Sequence, residues 1–374
     1  MKPTTTNISS LTPLRGIAAL GVAVFHFQVY LLRFVTKDQS MLIDKGYLMV
    51  DLFFIMSGFL IMHVYKEDFV QQITLKKFKK FILARFARIY PLHFFTLLLL
   101  IGLFLIKSIK PGGIYDPRAI LSHVFLLHSF PLNSELTWNV PSWSIGAEWW
   151  AYILFPVLCL LLYRYTRLGV IFVILCIVAS YILLLFYVPG HRIYNADSLD
   201  ITFDYGFLRG IAGFMTGMLL YLVYGFNWIK RIFNSDLICG AYILLVLFAL
   251  HKGIPDIYFV PGFSILILLL TINTGKISLA FNNRAFTFLG EISYSVYMIH
   301  FLLIIFIQMM LYTLGYRSHS ESIMPFLKGF SFCLLYLLIL GVLSSISYHI
   351  LEKPCRKYIN QKWANKTIAP INNP

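Results

Sequence analysis

The chain has 374 residues, 59% of them hydrophobic and 13% charged, and a formal net charge of +15 at pH 7. A soluble domain carries roughly a quarter of its residues as charges, so a surface facing water on all sides is excluded and lipid is the expected solvent. The positive excess gathers in the loops on one side of the predicted spans, which is a topology signal and argues against a nucleic-acid partner.

A helix needs about 20 apolar residues to cross the hydrocarbon. Such runs lie near 11–32, 46–65, 81–106, 142–163, 168–188, 205–224, 236–251, 256–273, 286–312 and 325–351. They predict an all-α, polytopic transmembrane helical bundle of about ten spans. Barrel strands would alternate polar and apolar residues, and these runs do not. The N-terminus has no basic stretch followed by a small-residue cleavage site, so Leu11 onward reads as a retained first span. The five cysteines are scattered, with no CxxC pair and no metal-ligand spacing, so neither a disulfide framework nor a metal is predicted.

With the N-terminus cytoplasmic, one set of loops holds Lys66, Lys76, Lys77, Lys79, Lys80, Arg164, Arg167, Lys230, Arg231, Lys276 and Arg284. Lys353, Arg356, Lys357, Lys362 and Lys366 fall on the same side. The opposite loops are nearly balanced, with Arg33, Lys37, Arg192 and Arg317 among their cations and Asp38, Asp44, Asp197, Asp200 and Glu321 among their anions. Both termini are therefore predicted on the cytoplasmic side. We read a single membrane domain over 1–362 and a short disordered cytoplasmic tail over 363–374. The longest non-spanning piece, 107–141, is expected to form an interfacial or re-entrant element.

Charges inside spans are costly and point to function. In chain order they are Arg15 and His26, Asp51, Arg85 and Arg88, Glu148, Arg209 and His300. Arg15 and His26 are eleven positions apart, about three helical turns, so they share a face roughly 16 Å apart. Arg85 and Arg88, at i and i+3, share another face, and Pro91 after them is a candidate kink. The three arginines converge at the inner mouth, where guanidinium groups suit the phosphates of a nucleotide-bearing donor; snorkelling anchors are the other reading of the pair. Asp51, Glu148 and His26 lie at a comparable depth nearer the outside. A histidine oriented by a carboxylate can act as general base on an alcohol. Trp138, Trp143, Trp149 and Trp150 crowd that end, as an interfacial belt or as a face on which a sugar stacks. Arg209 is expected to snorkel outward or pair with Asp204. His300 reads either as an acceptor-side residue or as a hydrogen-bonded packing residue.

The run from Leu11 through Arg15 to His26, with ten residues between the arginine and the histidine, resembles the opening of the acyltransferase family 3 membrane proteins. The blocks that follow are similar to that family in the same order: Val50-Asp51 to Ser57-Gly58, Arg85-Phe-Ala-Arg88-Ile-Tyr-Pro91, Pro141-Ser-Trp143-Ser144 to Glu148, Ile292-Ser-Tyr294 to His300, and Glu352-Lys-Pro354. One departure is the small filling Ile145-Gly146-Ala147 before Glu148. The resemblance implies transfer of an acyl group, usually acetyl from cytoplasmic acetyl-CoA, to an extracytoplasmic acceptor such as a surface polysaccharide or lipopolysaccharide O-antigen. It implies His26 as catalytic residue and Arg15, Arg85 and Arg88 in donor binding or structure. Some members add a soluble hydrolase-like domain; the expectation here is the membrane domain without it.

Joined, the two readings predict a bacterial inner-membrane O-acetyltransferase. Its catalytic candidates are His26, Glu148 and Asp51, its donor-binding candidates Arg15, Arg85 and Arg88, and its acceptor-side candidates Trp143, Trp149 and His300. Acetyl-CoA is the co-substrate, a glycan or lipid-linked glycan the partner, and transfer is direct or by way of an acetylated His26. A transporter or polysaccharide exporter is the alternative, since it also places ionisable groups at mid-membrane; no inverted repeat supports it.

Overall fold

A computed structural model describes residues 10–106, 112–188, 198–315 and 324–366. Arg192, Asp197, Arg317 and Glu321 of the expected loop balance, and the last eight residues of the expected tail, lie outside these. The described chain is helical, with no strand beyond an isolated Gly112–Tyr115 bridge. Its long helices are α1 (Leu11–Tyr30), α2 (Met49–Phe69), α3 (Leu75–Ile106), α4 (Trp143–Arg164), α5 (Thr166–Ile182), α6 (Gly206–Tyr224), α7 (Asp236–Lys252), α8 (Phe259–Ile272), α9 (Ser293–Thr313), α10 (Phe326–Ser347) and α11 (Lys353–Lys366).

A helix thus occupies each of the ten apolar runs. Seven are long and apolar enough to cross a membrane, or up to eight if Asn227–Phe233 and α7, bent by 80°, form one broken span. The first helix, which carries Arg15, His26 and Gln28, is not among the seven, and Asp256–Ile272 is shorter. The chain is a multi-pass membrane protein by these helices. α5 shows why: Leu168, Ile171, Phe172, Leu175 and Val178 all point away from the bundle and are exposed. A stripe of that kind is stable against hydrocarbon and a liability in water.

Close helix crossings organise the bundle. A Cβ on Gly58 of α2 would sit 1.9 Å from the Phe214 carbonyl oxygen, and one on Gly217 of α6 would sit 2.0 Å from that of Ile55. Two backbones therefore touch where both sequences drop their side chains, the packing that small residues permit between helices in lipid. The same pair of helices is clamped by a buried ion pair. Arg209 Nε donates to Asp51 Oδ1 at 2.9 Å and its Nη2 to Oδ2 at 2.6 Å. The guanidinium also donates to the carbonyls of Ile201 and Tyr47, both at 3.3 Å. This corrects the expectation for Arg209, which neither snorkels nor meets Asp204. Asp204 instead accepts from the backbone N–H of Tyr205.

The expected span 286–312 is two pieces, Arg284–Glu291 and α9. The break falls beside Gly290, whose Cα lies so near α1 that an added Cβ would be 2.0 Å from the Thr12 carbonyl. At the other end of the chain α10 closes with a π-helical turn, Tyr348–Glu352, before α11, which continues to Lys366, past the expected start of the tail. In the 107–141 segment, the described part carries a short helix Ile120–Val124 and folds against the bundle. Trp138 in it is fully buried, with Nε1 donating to the Asp116 carbonyl at 3.0 Å. It is therefore neither a belt residue nor a sugar platform.

Candidate active site

The bundle contains three cavities in a row, each sharing lining residues with the next. The first, about 440 Å³, lies at the lysine- and arginine-rich end and is lined by Arg15, Arg85, Arg88 and Arg356, with Glu291 the lone acid among its lining residues. The second, about 130 Å³, is lined by the same Arg15, Arg85 and Arg88 together with Ser57, Glu148, Tyr152, Val50 and Tyr297. The third, about 190 Å³, shares Val50 and Tyr297 and adds His26, Tyr30, Tyr47, Glu135, Trp143, Asp200 and Arg209. Shared walls therefore lead from the arginine cluster, by way of Val50 and Tyr297, to the cavity of His26.

The arginines are placed as the helical spacing requires but differ in their freedom. Arg88 is held by Glu352, which the π-helical turn brings to it, and its guanidinium lies 5.6 Å from the Tyr294 ring centre. Ser295 Oγ donates to the other Glu352 oxygen at 2.8 Å. Arg85 donates to Tyr65 Oη at 2.9 Å, packs over the rings of Tyr65 and Tyr152, and has a buried Nε with no partner. Arg15 makes no hydrogen bond or ion pair with another described residue. Two of the three are thus open to an anion, while Arg88 serves chiefly to hold α3 against the α10–α11 junction.

His26 does not meet the carboxylates assigned to orient it. Asp51 is consumed by Arg209. Glu148 accepts from Ser57 Oγ at 2.6 Å and from Tyr152 Oη at 2.5 Å, in the middle cavity. The partner of His26 is His300, with His26 Nδ1 to His300 Nε2 at 2.9 Å. His300 Nδ1 lies 2.6 Å from the Tyr297 carbonyl oxygen. A carbonyl only accepts, so His300 carries its proton on Nδ1 and its lone pair on Nε2. That lone pair in turn requires the proton of His26 on Nδ1, which leaves His26 Nε2 as a basic, unprotonated nitrogen. The dyad fixes a tautomer without any charge.

Of the tryptophans, Trp143 lines the third cavity and covers the Arg209 guanidinium at 5.3 Å. Trp149 packs against Phe86, with ring centres 6.0 Å apart, and borders none of the three cavities. Trp150 donates to the Leu126 carbonyl. Sequence reasoning missed Asp200, Arg356, Glu352 and Tyr297 as lining or supporting residues. Asp200 read only as a loop charge and Arg356 as a tail charge closing the last family-like block, and burial pushes the Asp200 carboxyl up to about 6.

Three buried histidines, His93, His123 and His128, bring ring nitrogens within 4.8 Å of one another. The rings of His123 and His128 are stacked, with centres 4.0 Å apart and planes within 15°. An ion in the plane of one ring would lie several ångströms out of the plane of the other, beyond a bond of about 2.1 Å. As arranged the group is a stack and not a ligand set. His93 Nε2 is held by the His123 carbonyl at 3.0 Å and His128 Nε2 by the Ser142 carbonyl at 2.7 Å. Gly146, the small residue of the noted departure, lets this loop close on α4, since a Cβ there would lie 3.3 Å from His128 Cε1.

The profile of a family described as an acyltransferase domain matches residues 8–345. The chain belongs to acyltransferase family 3. Among curated proteins it is 31% identical over 175 residues to the acyltransferase MdmB of Streptomyces mycarofaciens, covering 45% of this chain and 42% of that one. It is 36% identical over 155 residues to protein 2 of the picA locus of Rhizobium radiobacter, covering 37% and 75%. A protein of Staphylococcus aureus strain COL provisionally named an O-acetyltransferase is 23% identical over 382 residues, covering 94% and 57%. The chain thus spans about half the length of the MdmB and staphylococcal relatives. No solved structure matches it.

Proposed function

We propose that the protein is a bacterial inner-membrane O-acetyltransferase with ten spans and both termini cytoplasmic. In this reading it moves acetyl from cytoplasmic acetyl-CoA to a hydroxyl of an extracytoplasmic glycan, most simply a surface polysaccharide such as O-antigen. The observation that carries the reading is the row of three cavities joining unpaired arginines to a histidine with a fixed tautomer.

The phosphates of acetyl-CoA dock at the first cavity against Arg15, Arg85 and Arg356, through charge-assisted bonds. The thin pantetheine arm runs through the second cavity past Glu148 and Tyr152 to Val50 and Tyr297. The acceptor enters the third cavity from outside. His26 Nε2 takes the proton of the acceptor hydroxyl as its oxygen attacks the thioester carbonyl carbon. When the tetrahedral intermediate collapses, the C–S bond breaks and the thiolate takes that proton back from His26. His300 holds Nδ1–H throughout and shares the transient positive charge. Asp51 and Arg209 set the spacing of α2 and α6, and Glu148 fixes the Ser57–Tyr152 wall. In this mechanism both carboxylates shape the site and neither acts on the substrate.

The test is transfer of radiolabelled acetyl from acetyl-CoA into envelope glycans by membranes bearing wild type or His26→Ala. A general base contributes about 10²–10⁴-fold, so His26→Ala is expected to lose at least a hundredfold at normal expression. Undiminished transfer by the variant would refute the assignment.

A further inference from the structure

The third cavity holds a polar group that the transfer scheme leaves unused. Asp200, in the segment leading into α6, lines this cavity with His26 and is 7% exposed. Its backbone N–H donates to Ser198 Oγ at 3.0 Å, but its Oδ2 is buried without a hydrogen-bond partner. The Asp200 carboxyl accepts no hydrogen bond from another described residue, an arrangement that is costly for a buried carboxylate, and a ligand donor in the cavity it lines would meet it.

The charge around it limits what that ligand is. Arg209 is the cation among the described lining residues. Its charge is neutralised by Asp51, and its remaining bonds go to the Ile201 and Tyr47 carbonyls. Glu135 stands exposed on the same lining. The cavity therefore offers two carboxylates and no unneutralised cation, a setting that repels anions. Its walls include Tyr30, Tyr47 and Trp143, aromatic surfaces with which the apolar faces of a sugar ring pack. At about 190 Å³ the cavity has room for one sugar ring.

We propose that the third cavity is a subsite for a single uncharged sugar ring. The Asp200 carboxylate accepts a hydrogen bond from a hydroxyl neighbouring the one presented to His26, and the two carboxylates turn anionic sugars away. The inference rests on the acetyl-transfer reading for the role of His26, but sugar binding is measurable without any donor.

The experiment is thermal unfolding of the full chain in detergent, without acetyl-CoA. The titrants are the methyl glycosides of glucose, galactose and mannose and the methyl uronides of glucose and galactose, at matched ionic strength. Binding to the folded form raises Tm by mass action. At least one neutral glycoside is expected to raise Tm at a concentration about tenfold or more below that needed by its uronide. Asp200→Ala is expected to weaken the neutral glycoside by about tenfold. Asp200→Asn, a near-isosteric variant for the case in which alanine fails to fold, is expected to narrow the gap between neutral sugar and uronide. Equal or tighter binding of a uronide by the wild type would overturn the proposal, as would no shift with any neutral glycoside. So would unaltered sugar binding and selectivity in both variants. Sugar binding as expected with no acetyl transfer would sink the transfer reading and leave the subsite standing.

Discussion

At the scale of single residues, the site turns on which nitrogen of His26 is free. His300 accepts from His26 Nδ1–H because its own proton is committed to the Tyr297 carbonyl. His300→Leu removes that acceptor, so kcat is expected to fall about 10–100-fold with the KM for acetyl-CoA little changed. His300→Gln supplies an amide oxygen in its place and is expected to recover part of the loss. A pure packing role would show instead as equal losses in both variants. Arg15, which has no bond to another described residue, makes the complementary case. Arg15→Gln is expected to raise the KM for acetyl-CoA about 10–100-fold, the worth of one or two charge-assisted bonds, and an unchanged KM would remove it from the donor site. The shared face of Arg85 and Arg88 and that of Arg15 and His26 were legible in the sequence because i, i+3 and i, i+11 spacings fix a helix face. The partners of Asp51 and His26 were not. Arg209 and His300 lie 158 and 274 positions away along the chain, and only the packing of α2 on α6 and α1 on α9 brings them together.

Helices and their crossings carry the next set of consequences. The α2–α6 contact joins a glycine-to-backbone crossing to a buried ion pair, so each supports the other. Removing one partner of such a pair costs about 3–5 kcal/mol, because the other charge stays buried, while replacing both with apolar residues costs far less. Arg209→Met is therefore expected to lower detergent thermal stability more than the double variant Asp51→Leu/Arg209→Met; the reverse order would show that the pair is not the clamp. The folded 112–141 segment makes a separate prediction. Burial holds the His128 imidazole down at about 3 and that of His123 well below its usual range. Both are neutral in the fold, and the unfolded chain binds their protons below about 6.5. The stability they contribute is thus complete above about 6.5 and is lost progressively as pH falls toward about 3. Melting temperatures from pH 7.5 to 4 are expected to decline less steeply in His128→Gln than in the wild type, and parallel slopes would contradict this. Helix existence was legible from apolar runs, including the first helix despite its Arg15, His26 and Gln28. The break before Ser293 was hidden, because what makes it is Gly290 pressed against Thr12 of a distant helix.

Over the whole molecule, composition and loop charges gave a multi-pass helical protein, and the row of cavities gives it a direction. The arginine-lined end is the end with the lysine-rich loops, and the cavity of His26 is bordered by the exposed Glu135. The family resemblance was legible from six short blocks in order, and the profile over residues 8–345 bears it out. Donor and acceptor identity lie beyond what helix periodicity encodes, since apolar spans facing lipid resemble one another whatever passes between them. The proposed transfer is vectorial, from a donor on the lysine-rich side to an acceptor on the other, through His26. The most direct measurement uses sealed inside-out vesicles given radiolabelled acetyl-CoA only on their outer, cytoplasmic face. Label is expected in lumenal glycans with the wild type and at least a hundredfold less with His26→Ala. Equal label with both, or lumenal label that requires acetyl-CoA inside the vesicle, would contradict it.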